Sequence, residues 1–187
     1  MRGRSKMGKS IHVNYLEASP GQETAHVLRY YIARGFLEPE DTVIELGCGS
    51  GYGAYMLSKV GCSIHAFDIE NSFAEPYRKI SNIKFGQADL RGRALPEADV
   101  IVAMEFIEHT ENPGEIVCEI RKKAKKFIIL SYPQKPTAGL DPTHKSNLVP
   151  SEVRAWIEDK KWYCFFDHSF GLSLIQVYKY YPKGWKR

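Results

Sequence analysis

The chain has 187 residues, with 26 Lys and Arg against 22 Asp and Glu, a net charge of +4, and 43 % apolar residues. This is the size and apolar content of one globular domain, too apolar for a disordered chain, and the small positive balance does not by itself mark a nucleic-acid binder. No apolar run reaches the roughly 18–20 residues that cross a bilayer, the basic stretch 1–10 lacks the apolar centre of a secretory leader, and Cys48, Cys62, Cys118 and Cys164 form no C-x-x-C pair. The expectation is a cytoplasmic chain with reduced thiols and no membrane contact.

In chain order, a basic arm over 1–18 precedes a domain over 19–187. Ser19-Pro20-Gly21-Gln22 reads as a helix start with a capping box, and Val27, Leu28, Tyr31 and Ile32 continue it at helical spacing to about Arg34, with Gly35 as the stop. From Thr42 the pattern changes to short apolar runs: Thr42–Leu46, Ser63–Phe67, Ile83–Phe85, Val100–Met104 and Phe127–Leu130. Helical stretches near 51–60, 71–80 and 113–124 separate them. Apolar runs without polar alternation, split by helices, predict a parallel sheet buried on both faces. A polar stretch from Tyr132 to Leu148, a helix opening at Pro150-Ser151, and two β-rich runs, Trp162–Phe170 and Leu172–Tyr180, close the chain.

The first strand ends in Glu45-Leu46-Gly47-Cys48-Gly49-Ser50-Gly51, a strand running through alternating glycines into a helix. Such a turn lets backbone approach a ligand closely. A dinucleotide fingerprint begun at Gly47 puts Tyr52 where its third glycine belongs. The form E-x-G-x-G-x-G of S-adenosylmethionine sites is met at Glu45, Gly47, Gly49 and Gly51. A carboxylate two residues before the loop repels a pyrophosphate and attracts an α-ammonium. Asp68, 21 positions after Gly47, stands where an acid can accept ribose hydroxyls, and Asp89 follows the next strand within reach of an adenine amino group.

On these residues the chain resembles the class I S-adenosylmethionine-dependent methyltransferases, over about 42–132 in good motif order. The resemblance implies a Rossmann-like α/β fold, with a mostly parallel seven-stranded sheet of order 3-2-1-4-5-7-6 and an antiparallel last strand. It implies S-adenosylmethionine as cofactor, with Glu45, Gly47 and Gly49 at its methionine end, Asp68 at the ribose, Asp89 and Leu90 at the adenine, Gly51 and Ile69 also among the cofactor-binding residues, and Glu105 bordering the pocket.

After the fourth strand comes Glu105-Phe106-Ile107-Glu108-His109. A helical turn there would place Glu105, Glu108 and His109 on one face. The stretch resembles the E-x-x-E-H of many small-molecule O-methyltransferases, and that of plant-type small-RNA 2′-O-methyltransferases, where these residues and a later His hold a divalent metal. His144 is the candidate for that later His. Glu108, His109 and His144 are the catalytic candidates, with a histidine as general base for a hydroxyl; a divalent metal is an alternative that is not preferred. The absence of a D/N/S-P-P-Y/F/W motif argues against amino methylation of DNA. The expected acceptor is the oxygen of a small molecule or sugar-like group, contacted by His12, Tyr15, the first helix and the loop 133–149. The alternatives are an RNA hydroxyl, for which the basic run Arg121–Lys126 offers weak phosphate contacts, and an inactive cofactor-binding subunit; the oligomeric state is left open.

Overall fold

The computed structural model describes residues 20–90, 94–137, 139 and 141–184, with side chains from Thr24 onward. The basic arm, the Ser19 cap, the Gln22 side chain, His12 and Tyr15 lie outside the described residues. Helices α1 (Pro20–Arg34), α2 (Tyr52–Ser58), α3 (Glu75–Arg78), α4 (Pro113–Lys123) and α5 (Pro150–Ile157) accompany strands β1 (Thr42–Leu46), β2 (Ser63–Asp68), β3 (Ile83–Gln87), β4 (Ala98–Met104), β5 (Ala124–Pro133), β6 (Trp162–Phe170) and β7 (Ser173–Tyr180). The sheet order is β3-β2-β1-β4-β5-β7-β6. The first five strands pair in parallel, whereas β7 runs antiparallel to both β5 and β6.

Side-chain alternation divides the core into two layers. Ile44, Leu46, Ile101, Ala103, Ile128 and Leu130 pack with Val117, Ile120, Val153 and Ile157 of α4 and α5. Val43, Val100, Val102 and Ile129 face Tyr30, Ala33, Ala54 and Leu57 of α1 and α2. Both faces are therefore covered, as the unbroken apolar runs require. The same alternation sends Glu45, two residues after Val43, toward α1 and α2.

Two boundaries depart from expectation. The third helix is a single turn instead of 71–80, because Phe73 is drawn into the core against the ring of Phe85, with centroids 4.8 Å apart. That contact leaves Ala74 extended ahead of Pro76, which sits in the first turn. Strand β5 opens at Ala124 rather than Phe127 and carries Lys125 and Lys126 outward, where they pair with Glu97 and Asp41. Arg121 meets Asp159 and Lys122 lies 3.6 Å from Glu119. Four of the five cations in the basic run thus have carboxylate partners, which removes most of the charge available for phosphates. Among the described residues no helix is long and apolar enough to cross a membrane.

Leu130 is fully buried in the α4/α5 layer. Leu130→Ala is expected to lower unfolding free energy by about 2–5 kcal/mol through lost transfer energy and a residual cavity, measured by urea denaturation.

Candidate functional site

The carboxyl ends of the parallel strands, where the order reverses between β1 and β4, open into a cavity of about 860 Å³. The loop after β1 forms its floor. Gly47, Gly49 and Gly51 have φ of 71°, 53° and 90°, a left-handed region that costs glycine little and other residues more. Space forbids a side chain as well: a Cβ at Gly47 would come 2.5 Å from the Phe106 ring. The Gly47 and Cys48 amides donate to the Phe67 carbonyl, which fastens the loop to the end of β2.

Asp68, one residue beyond that carbonyl, accepts the Gly49 amide on Oδ2 at 2.8 Å and the Glu70 amide on Oδ1 at 2.9 Å. Each oxygen keeps a further lone pair. Asp68, Ile69, Asp89 and Leu90 line the cavity beside Gly47 and Gly49.

Glu45 and Gly51 do not line it. Glu45 is completely buried, and its Oε1 accepts the hydroxyl of Tyr30 at 2.7 Å, while Oε2 has no hydrogen-bond partner. Burial raises the Glu45 carboxyl from its ordinary range to about 8, against the Tyr30 hydrogen bond, which lowers it. Tyr30 and Tyr52, edge to face with centroids 5.3 Å apart, stand in the cavity wall. Gly53 permits this arrangement: a Cβ there would meet the Tyr30 ring and hydroxyl and Glu45 Oε1 at 2.2–2.3 Å.

Glu105 follows β4 with φ 48°, the only positive φ outside glycine among the described residues. Its amide donates to the Ser131 carbonyl at 2.9 Å; its Oε1 accepts the Ser131 hydroxyl and its Oε2 the Ser173 hydroxyl, each at 2.9 Å. Arg29 Nη1 lies 3.6 Å from Oε1, and Arg29 Nη2 donates to Ser173 Oγ at 3.1 Å. His26, whose Nδ1 faces Arg29 Nη1 at 3.3 Å, has its pKa lowered by burial and by that guanidinium.

The helical turn expected over Glu105–His109 is a single 3-10 turn, Ile107–His109. The left-handed Glu105 stands outside it, so the three residues do not share one helix face. The group that does assemble is Glu108, His109 and His144, with one side-chain N or O atom from each all within 4.8 Å of one another. Both Glu108 carboxylate oxygens are buried without partners, and burial, then Glu105, pushes this carboxyl well above its usual range. The Glu108 carbonyl accepts the Lys145 and Ser146 amides, tying the 141–146 loop to the turn. His109 Nδ1 lies 3.1 Å from the Thr143 carbonyl. A carbonyl only accepts, so Nδ1 carries the proton in that contact and neutral His109 has its lone pair on Nε2. His144 sets Nδ1 against the Thr137 hydroxyl at 2.6 Å, and its Nε2 lies 3.7 Å from Asp141. Its pKa is lowered, first by burial and then by His109.

Tyr30, Arg29, Ser131 and Ser173 had no signal in the sequence, because each acts through a partner distant in the chain. Gly53, a glycine inside the first turn of a helix, is the one local mark of the Tyr30 contact.

The strand order, the antiparallel β7 and the glycine turn into α2 define a class I S-adenosylmethionine-dependent methyltransferase domain. The chain belongs to the methyltransferase-domain family, whose model matches residues 21–180. A probable S-adenosylmethionine-dependent methyltransferase of Mycobacterium tuberculosis is 28 % identical over 128 residues, 63 % of this chain and 47 % of that protein. The chain thus spans about half the length of this curated relative. The ubiquinone biosynthesis O-methyltransferase of Shewanella is 23 % identical over 171 residues, 75 % of this chain and 72 % of that protein. The magnesium protoporphyrin IX methyltransferase of Synechocystis, crystallised with S-adenosylhomocysteine, shares the fold with a TM-score of 0.68 at 18 % identity, over 86 % of this chain and 83 % of that one.

A carboxyl raised by burial is stabilising while protonated and costs stability once ionised. Ligand-free protein is therefore expected to lose stability as pH rises from about 4.5 toward 8, with Glu108 acting in the same direction as Glu45. Thermal melts over this range should fall for the wild type and fall less steeply for Glu45→Gln.

Proposed function

We propose that the chain transfers the methyl group of S-adenosylmethionine to a hydroxyl oxygen of a small acceptor. The observation that carries this reading is the Glu108, His109 and His144 group, in the wall of the same cavity as Gly47, Gly49 and Asp68. In the transfer, the acceptor oxygen attacks the methyl carbon, the carbon–sulfur bond breaks with its electron pair moving to sulfur, and S-adenosylhomocysteine leaves. The hydroxyl proton passes to an imidazole, and the lone pair on His109 Nε2 is suited to receive it. The remaining work is alignment and exclusion of water. The relative named for O-methylation in ubiquinone biosynthesis supports oxygen as the acceptor atom.

At the cofactor end, Asp68 accepts the ribose hydroxyls, Asp89 and Leu90 hold the adenine, Ile69 packs beside them, and Gly47 and Gly49 admit the methionine chain. Glu45, held protonated by burial in the ligand-free protein, ionises as the α-ammonium arrives and pairs with its charge. Gly51 shapes the turn, and Glu105 holds the wall in place, since its oxygens are engaged by Ser131, Ser173 and Arg29. Cavities that hold small ligands run to about 1,000 Å³, so this one accommodates the cofactor and a small acceptor together. The paired basic run offers little to an RNA backbone.

A second reading is favoured by the two unpartnered oxygens of Glu108. Carboxylate and imidazole suit a divalent ion, and the Thr143 carbonyl behind His109 is the kind of partner that orients a ligating imidazole. Glu108, His109 and His144 would hold the ion, which when bound would polarise the acceptor hydroxyl.

Calorimetry should show Asp68→Ala weakening S-adenosylmethionine binding by about tenfold or more, through lost charge-assisted hydrogen bonds; an unchanged affinity would remove the ribose assignment. His109→Ala should lower kcat by about 10²–10⁴ with cofactor affinity retained. Titration with Mg²⁺, Mn²⁺ or Zn²⁺ separates the two readings. Metal heats that vanish in Glu108→Gln support the ion; no heats, with activity intact in chelator, support the imidazole base.

A further inference from the structure

Glu45 presents a geometric difficulty for its proposed role. It is completely buried and absent from the cavity wall, on the α1/α2 side of the sheet, while the charge it is meant to attract lies in the cavity. Between the two stands Tyr30. Tyr30 lines the cavity, and its hydroxyl is 2.7 Å from Glu45 Oε1. Burial keeps the Glu45 carboxyl protonated in the ligand-free protein; an ammonium arriving in the cavity favours the ionised form, in which the phenol donates and the carboxylate accepts. The Tyr30 proton is held far more firmly than in free tyrosine, by burial first and the Glu45 charge second.

We propose that Tyr30 is itself a cofactor-contacting residue: its proton committed to Glu45, its oxygen accepts an N–H of the methionine ammonium of S-adenosylmethionine, and Glu45 acts on the cofactor through it. This rests on the assignment of Glu45 to the ammonium given above. Hydrogen bonds in series polarise one another, so an oxygen donating to a carboxylate is a better acceptor than an ordinary phenol. Two local features keep the relay in register. Gly53 leaves the room that a Cβ would take from both partners, at 2.2–2.3 Å. Arg29, the preceding residue of α1, is itself fixed by Ser173 and lies 3.6 Å from Glu105, which holds this turn of the helix against the sheet. The other groups facing Glu45 are Asp68 from β2, Cys48 from the loop, and Tyr52 and the Ala54 backbone from α2. The first helix thereby contributes to the cofactor end of the site, in addition to the acceptor end expected of it.

The test compares S-adenosylhomocysteine with methylthioadenosine, which keeps adenine, ribose and thioether but lacks the amino-acid end. Tyr30→Phe keeps the ring and removes the relay. It is expected to weaken S-adenosylhomocysteine binding by about tenfold and methylthioadenosine binding by less than about twofold, within the scatter of a lost packing contact. Glu45→Gln should show the same selectivity. Equal weakening of both ligands in Tyr30→Phe, or no weakening of either, overturns the proposal. If Glu45→Gln is selective and Tyr30→Phe is not, the relay fails while the Glu45 assignment stands; if neither is selective, both fall. Should Tyr30→Phe not fold, fluorotyrosine at position 30 of the otherwise native chain gives a fluorine resonance. That resonance should shift further with S-adenosylhomocysteine than with methylthioadenosine, and equal shifts overturn the proposal.

Discussion

Glu105 is a half-buried carboxylate whose hydrogen bonds tie together the carboxyl edge of the sheet. Its oxygens are satisfied by Ser131 at the end of β5 and Ser173 at the start of β7, with the Arg29 guanidinium of α1 close by. Removing one partner from such a set leaves an uncompensated polar group in low dielectric, which costs more than the intact pairing contributes. The set fixes a non-glycine residue in a left-handed backbone conformation and therefore sets where the chain leaves β4. The 3-10 turn carrying Glu108 and His109 starts from that point, so the placement of that part of the cavity wall is inherited from Glu105 and its partners.

The two sides of the cavity differ in how they are held. The cofactor side is local: glycine loop, Asp68 and the end of β2 are joined by backbone amides within about twenty residues. The acceptor side joins the turn at 107–109 to the loop at 141–146 through the Glu108 carbonyl and the His109–Thr143 contact. Within the loop the Asp141, His144, Lys145 and Ser146 amides are all hydrogen-bonded to backbone carbonyls.

The same difference decides what could be read from the sequence. The central parallel strands β1, β4 and β5 were legible because their apolar runs are buried on both faces, and the glycine loop because its three left-handed positions admit little else. That Asp68, Asp89, Glu108 and His109 line one cavity was legible from their place at and after strand ends. The short third helix was not, since the pull of Phe73 toward Phe85 is a tertiary effect that overrides local helical spacing. The shared face of Glu105 and Glu108 failed for a related reason: the left-handed turn at Glu105 is imposed by partners 26 and 68 residues away, which no local window contains. Tyr30 was invisible as a site residue because apolar spacing marked its helix only as a packing element.

The reversed direction of β7 has a consequence for biosynthesis. In a parallel strand the residue nearest the site is the last one made, but in an antiparallel strand it is the first, so Ser173 arrives at the carboxyl edge as β7 begins. Arg29 and Glu105 leave the ribosome long before it, and neither can complete its hydrogen bonds until the turn at Gly171 has formed. A nascent chain can therefore build the cofactor loop early, while the charged knot beneath the acceptor side waits for the final hairpin.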